Sequence, residues 1–244
     1  AYVHRCGAAL DPEQLAELQQ ATEGWMAAVY LRLRALTEQG ADPGETDIYE
    51  MFTAAMLRPL PPRRQRFLAV MGQADEFTGD MARYITGQPD TPEILADLTA
   101  KNAFVTRLPG GGYRFHHMMK ACAQRDFDAL PPEEQAEYRA RYGRWYADRG
   151  DYLQALAAFG KCGRWDAALD VIQRDAGILL AALRPQQVLE LLDCCGDRVL
   201  MEHPTALLVL MRRMFTWGQI TRMQQLKALL LESVRNHPDM TPRQ

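Results

Sequence analysis

Between Thr91 and Ala123 the chain reads TPEILADLTAKNAFVTRLPGGGYRFHHMMKACA, and the order of local signals in this stretch restricts the fold more than any other part of the sequence. Thr91 can cap a helix, Pro92 suits its first position, and Glu93 suits the positive end of its dipole. Ile94, Leu95 and Leu98 fall on one helical face. Ala103 to Leu108 reads as a strand, Pro109 with Gly110-Gly111-Gly112 as a turn, and Tyr113-Arg114-Phe115 as the returning strand. A phosphate-gripping glycine loop requires a helix directly after the glycines, and a strand stands there instead. A second helix is then entered through His116 and His117.

Pro59, Pro61 and Pro62 break the chain ahead of this region. A helix is expected over Arg63 to Ala74, with Phe67, Leu68, Val70 and Met71 inward, and another over Thr78 to Thr86, with Met81, Ala82 and Ile85 inward. Three helices followed by a hairpin is the order of a winged helix, placed at residues 59–125. The hairpin around Gly110-Gly111-Gly112 is expected to be the only β-structure of the chain. The segment before the prolines is helical in pattern, from Asp11-Pro12-Glu13, through Trp25 to Leu33, to an amphipathic stretch from Asp47 to Leu57.

Beyond His117 every signal is helical. Leu130-Pro131-Pro132-Glu133 marks a helix start, and further helices are expected over Pro185 to Asp193, Thr205 to Phe215 and Thr221 to Val234. Tyr152, Ala155 and Leu156 recur as Trp165, Ala168 and Leu169 at a shift of 13 residues, with Gly150 and Gly163 before the two copies. An aromatic that packs, a small alanine and a leucine knob are what stacked helix pairs need. The shift is one helix plus a turn, not the roughly 34 residues of a strict tetratricopeptide repeat. The last helix is expected to leave its apolar face of Met223, Leu226, Leu229 and Leu230 partly exposed.

The chain has 244 residues and 48% hydrophobic content, enough for one large core or two smaller ones. A net charge of −3 supplies no global field toward nucleic acid or anionic membrane. Cys6, Cys122, Cys162, Cys194 and Cys195 form no C-x-x-C pair and no zinc spacing, and read as reduced thiols of a cytoplasmic protein. The apolar run from Ala206 to Met211 stops at Arg212 and Arg213, well short of a membrane span. Ala1 opens the chain without methionine and in mid-pattern, so a piece of a longer protein is expected.

Several motifs carry a resemblance to a known family. They are TEGW (Thr22 to Trp25), the proline-broken linker, the winged helix ending in Phe115-His116-His117, R-x-x-x-W-Y (Arg141 to Tyr146) and G-D-x-x-x-A-L (Gly150 to Leu156). In these the chain resembles the large LuxR-family regulators of the maltose-activator type, which belong to the STAND class of signal-transduction ATPases. The resemblance implies a mainly α fold in three parts. Residues 1–58 correspond to the helical lid behind an ATPase core, 59–125 to a winged helix with one small β-hairpin, and 126–244 to an α-hairpin array like tetratricopeptide repeats. It implies a switch in which ADP holds the lid and winged helix against the ATPase core, and inducer with ATP releases them. His116 then takes the position that contacts an ADP phosphate, with His117 as its neighbour where related eukaryotic switches carry aspartate.

The resemblance also sets the expected partners: the ATPase core of the parent chain, and a protein or small-molecule inducer on the helical region. ATP and ADP are cofactors of the parent and none is expected in this piece. No G-x-x-x-x-G-K-[ST] loop appears in the sequence, so it is not expected to act as an enzyme. The helix that would enter a DNA groove carries Glu93 and Asp97 against Lys101, with Asn102 alone suited to base readout, which argues against direct DNA binding. Two other readings of the same residues are a DNA-binding winged helix fused to a helical dimerisation domain, and an unrelated helical-repeat adaptor for a protein partner.

Overall fold

A computed structural model describes residues 11–16, 29, 33, 49–50, 53–100 and 105–236. The expected helix from Trp25, the loop after Gly40 and the first two residues of the expected strand lie largely or wholly outside them. The chain divides into two compact units, Ala1–Leu130 and Pro131–Gln244. The described residues are mainly helical, with one small antiparallel hairpin.

In the first unit a single π-helical turn, Thr53–Leu57, closes with the Arg58 N–H donating to the Thr53 carbonyl at 2.9 Å. Helix α1 (Pro62–Met71) starts on a proline, whose missing N–H costs nothing in a first turn. Its last five residues, Phe67 to Met71, are all buried, so this helix is the centre of the core. Helix α2 (Gly79–Thr86) is capped by Thr78, whose hydroxyl accepts from the Met81 N–H at 3.2 Å, and ends on Gly87 at φ +68°. Helix α3 (Thr91–Ala100) buries Ile94, Leu95 and Leu98 as their spacing requires.

The cap of α3 differs from the sequence reading. Thr91 is already helical, and its buried hydroxyl donates back to the Gln88 carbonyl at 2.7 Å. The Gln88 carbonyl also accepts from the Thr91 N–H at 3.4 Å, so the threonine closes the Gln88-Pro89-Asp90 turn through both groups.

Strands β1 (Val105–Arg107) and β2 (Tyr113–Phe115) pair antiparallel, Val105 opposite Phe115 and Arg107 opposite Tyr113. The glycine turn closes through the Leu108 N–H to the Gly112 carbonyl at 2.8 Å, with Gly111 at φ +80°. The sheet extends further than the hairpin read from sequence. Phe77 bridges to Tyr113 through both backbone bonds, at 3.0 and 2.8 Å, and its ring packs on Tyr113 and Phe115. Helix α4 (His117–Asp128) follows and packs on α1 so closely that a Cβ on Gly72 would meet the Ala123 Cβ at 2.5 Å.

The second unit consists of α5 (Pro132–Ala147), α6 (Tyr152–Lys161), α7 (Trp165–Arg174), a 3-10 turn (Ile178–Ala181), α8 (Pro185–Cys194), α9 (Asp197–Met201), α10 (Pro204–Thr216) and α11 (Ile220–Asn236). Helices α5 and α6, α6 and α7, and α10 and α11 pack as neighbours, and α7 packs on α10. The internal repeat is structural. Gly150 and Gly163 adopt φ +76° and +66°, and the residues after them, Asp151 and Arg164, share nearly the same dihedrals. Ala155 and Ala168 are fully buried, and Leu156 and Leu169 lie in the same core. The close approach of α5 to α6 rests on Gly143, where a Cβ would fall 2.5 Å from the Phe159 ring.

Four helix ends in this unit close with the same bond from an N–H to the carbonyl five residues back. They are Asp151 to Tyr146, Arg164 to Phe159, Gly177 to Ile172 and Gln219 to Met214. In three of them the residue before the donor is a glycine with positive φ, as the motif favours. In the fourth it is Ala176 at φ +50°, the one positive-φ residue among the described ones that is not glycine. The sequence repeat showed two of these closures. The other two have lost the aromatic that made them recognisable.

Candidate functional site

The junction between β2 and α4 carries the two predicted histidines. Buried Phe115 anchors the end of the strand, His116 occupies the N-cap position at φ −56°, ψ 143°, and His117 is the first helical residue. The His116 side chain makes no capping bond to the helix, while its carbonyl accepts from the Lys120 N–H at 2.8 Å. The leading N–H groups of α4 and its dipole give this end a partial positive charge. Both imidazoles are half-buried, and the Nδ1 atom of His117 is turned out of solvent. Met118 and Met119 are buried in the core behind them.

The charges around the junction are compensated from other elements. Lys120 pairs with Asp75 and Arg114 with Glu76, both carboxylates lying in the loop between α1 and α2. The Lys120 ammonium holds the Asp75 carboxyl below its ordinary range, through a hydrogen bond and charge attraction. Arg63 meets Asp90 at 2.6 Å, and Arg64 meets Asp97 on α3. Glu93 is exposed on the same helix. The face of α3 that a groove-reading helix would present is therefore acidic, and the nearby arginines are already engaged.

The four arginines Arg58, Arg63, Arg64 and Arg66 fall into two groups. Arg63 and Arg64 pair across the unit, whereas Arg58 and Arg66 line a cleft of about 410 Å³ between the π-helical turn, α1 and α4. Asp126 stands in this cleft. Burial pushes its carboxyl up, and the Arg58 charge opposes the shift. Gln65 braces the cleft by donating to the Leu60 and Arg58 carbonyls at 2.7 and 3.1 Å. The sequence offers no local signal for the Arg58–Asp126 association, because the two residues are brought together only by the packing of α4.

A second arrangement missed by sequence reading lies in the helical unit. His203 is buried at the start of α10, with Nε2 at 2.6 Å from Asp166 and Nδ1 at 2.8 Å from the Gln173 amide. With the amide donating to Nδ1, the ring proton sits on Nε2 and is donated to Asp166. The network ties α7 to α10, which is a structural task for a buried polar ring. Among the described residues no group of three or more His, Cys, Asp or Glu side chains could hold a metal ion. Cys122, Cys162, Cys194 and Cys195 are all free thiols, and Cys6 lies outside the described residues. No helix among the described residues is long and apolar enough to cross a membrane.

Three helices, a hairpin wing and the bridging residue Phe77 make residues 62–128 a winged helix. Residues 53–135 match the family model of the MalT winged helix domain, which points to a regulator of the MalT and LuxR type. No curated protein and no solved structure matches the chain.

Proposed function

We propose that this chain is the regulatory and interaction part of an ATP-dependent LuxR-family transcriptional regulator, in which the winged helix couples nucleotide state to signal sensing. The observation that carries the reading is the match of residues 53–135 to the MalT winged helix domain. The charge arrangement supports a winged helix that faces protein rather than DNA, since α3 carries Glu93 and Asp97 and its neighbouring arginines are paired with carboxylates. In this reading residues 1–58 belong to the lid of a STAND ATPase, the second unit is the start of a sensor array resembling tetratricopeptide repeats, and the parent works in the cytoplasm. The partners are the ATPase core of the parent chain and a protein or small-molecule inducer. ATP and ADP act in the parent, and the chain itself is not an enzyme.

His116, with His117 beside it, contacts the ADP phosphate in the inactive state. The half-exposed position at a helix amino terminus supports this role, because phosphate is favoured there. A charge-assisted hydrogen bond contributes about 1.5–3 kcal/mol, so its loss moves a two-state switch by roughly ten- to a hundred-fold. His116→Ala in the intact regulator is expected to raise inducer-independent transcription by that order while leaving the fold in place. Unchanged basal transcription together with unchanged ADP affinity overturns the role. Gel shifts with the present chain test the other arm. Binding to duplex DNA that weakens steeply with salt would replace this reading with that of a DNA-binding winged helix.

A further inference from the structure

We propose that a cavity in the helical unit, at the turn before the 3-10 segment, binds a small organic anion with an apolar body. The cavity measures about 260 Å³ and lies between that turn and α10. This is slightly below the roughly 300–1,000 Å³ of sites for drug-sized ligands, so the ligand is small. Ile178, Leu180 and Val209 supply apolar walls, and Arg212, Arg213 and Thr216 supply the polar ones. No carboxylate lines it.

The cavity holds two consecutive arginines, Arg212 and Arg213. Arg141, Arg144, Arg174, Arg198 and Arg222 each have a carboxylate within 4.0 Å, but neither Arg212 nor Arg213 has one among the described residues. The Arg213 guanidinium lies over the Trp217 ring at 4.9 Å, which fixes its plane without neutralising it. Its Nε is buried and has no hydrogen-bond acceptor. What an anionic ligand would meet is the charge of the two guanidiniums, which no carboxylate among the described residues neutralises.

The cavity exists because of its floor. Gly177 has φ +76°, and any side chain there would meet Val209 at 1.9 Å. Ile178 is 74% exposed, so an apolar wall stands open to water until something covers it. A flat or branched carboxylate fits both features, with its charge on the arginine fork and its body on Ile178 and Val209. The ligand's role as a signal rests on the reading of this unit as the sensor. Its binding does not, and is measured on the chain directly.

The test is titration of the full chain with sodium benzoate, followed by amide chemical shifts, with benzamide and inorganic phosphate as comparison probes. Saturable shifts centred on residues 176–181 and 209–216 are expected, with benzamide and phosphate at least tenfold weaker. Arg212→Gln is expected to weaken benzoate tenfold or more, and Ala181→Trp to abolish binding by filling the cavity. Both positions are exposed, so the fold survives either change, as far-UV circular dichroism will show. Shifts that stay linear in benzoate, equal binding of benzamide or phosphate, or affinity unchanged in both variants overturn the proposal. Such a failure leaves the gel-shift and His116→Ala outcomes untouched, so the two readings fall separately.

Discussion

Most ion pairs of the winged helix join residues far apart in the chain, Arg83–Asp80 being the local one, whereas those of the helical unit lie mostly along single helices. Arg63–Asp90, Arg64–Asp97, Glu76–Arg114 and Asp75–Lys120 connect different elements. In the second unit Glu137–Arg141, Asp170–Arg174 and Arg198–Glu202 are one helical turn apart, and among its Arg–carboxylate pairs Arg222–Asp193 crosses between helices. Exposed pairs of either kind contribute only about 0–1 kcal/mol. Both units therefore owe their stability to apolar packing, and the difference concerns charge. In the winged helix Arg63, Arg64, Arg114 and Lys120 are paired with the unit's own carboxylates, leaving less field for nucleic acid. In the helical unit the local pairs leave Arg212 and Arg213 uncompensated beside a cavity.

The largest expected effect tests whether packing, not charge, holds the helical unit. Gly143→Ala places a methyl group into the Phe159 ring, and is expected to cost about 1–3 kcal/mol in urea unfolding. Hydrogen exchange should speed up in α5 and α6 and stay unchanged at Val105 and Phe115. Equal acceleration in both places would break the division into two units.

A smaller effect probes the charges of the winged helix. Asp75→Asn combined with Glu76→Gln releases Lys120 and Arg114, and is expected to cost no more than about 1 kcal/mol per pair. Weak, salt-sensitive retardation of duplex DNA should appear, since two cations become available to phosphate. The folded-state Asp75 carboxyl is held below its ordinary value, so its contribution is present above the unfolded value near 3.8 and is lost as pH falls through the folded one. Asp75→Asn alone should flatten the acid limb of the stability profile in that window. An unchanged acid limb would show that the pair is idle.

Ala176→Gly sharpens the account of the repeated helix ends. The left-handed conformation costs alanine roughly 1–2 kcal/mol, while glycine adds about 0.4–1 kcal/mol of unfolded-state entropy. The variant is expected to be more stable by about 0.5–1 kcal/mol, and a loss of stability would mean that the alanine methyl is packed. The smallest effect concerns the thiols. Burial pushes Cys195 up to about 11 and also raises Cys122, whereas Cys194 is exposed. Iodoacetamide under mildly alkaline conditions should label Cys194 ahead of Cys122, Cys162 and Cys195, and Cys194→Ser should leave stability within about 0.5 kcal/mol. Faster labelling of Cys122 would contradict the burial of the α4 face.

The sequence by itself determined where most of the helices begin and where the hairpin turns. Pro62, Pro132, Pro185 and Pro204 open helices, Gly111 turns the hairpin, and Gly150 and Gly163 end helices before a repeated start. These signals act over four or five residues, the span of a turn or a helix cap, so they survive in a linear reading. The tertiary structure decided which side chains meet. It made Phe77 part of the sheet, turned the Thr91 hydroxyl back to Gln88, set Gly143 against Phe159 and joined His203 to Asp166. Each of these except the Thr91 bond links residues at least 16 positions apart, and their partners are chosen by the packing of whole helices. The histidine pair lies between the two cases. Its place at a strand-to-helix junction was legible from Phe115-His116-His117, but the half-burial of both rings and the inward Nδ1 of His117 depend on how α4 packs into the core.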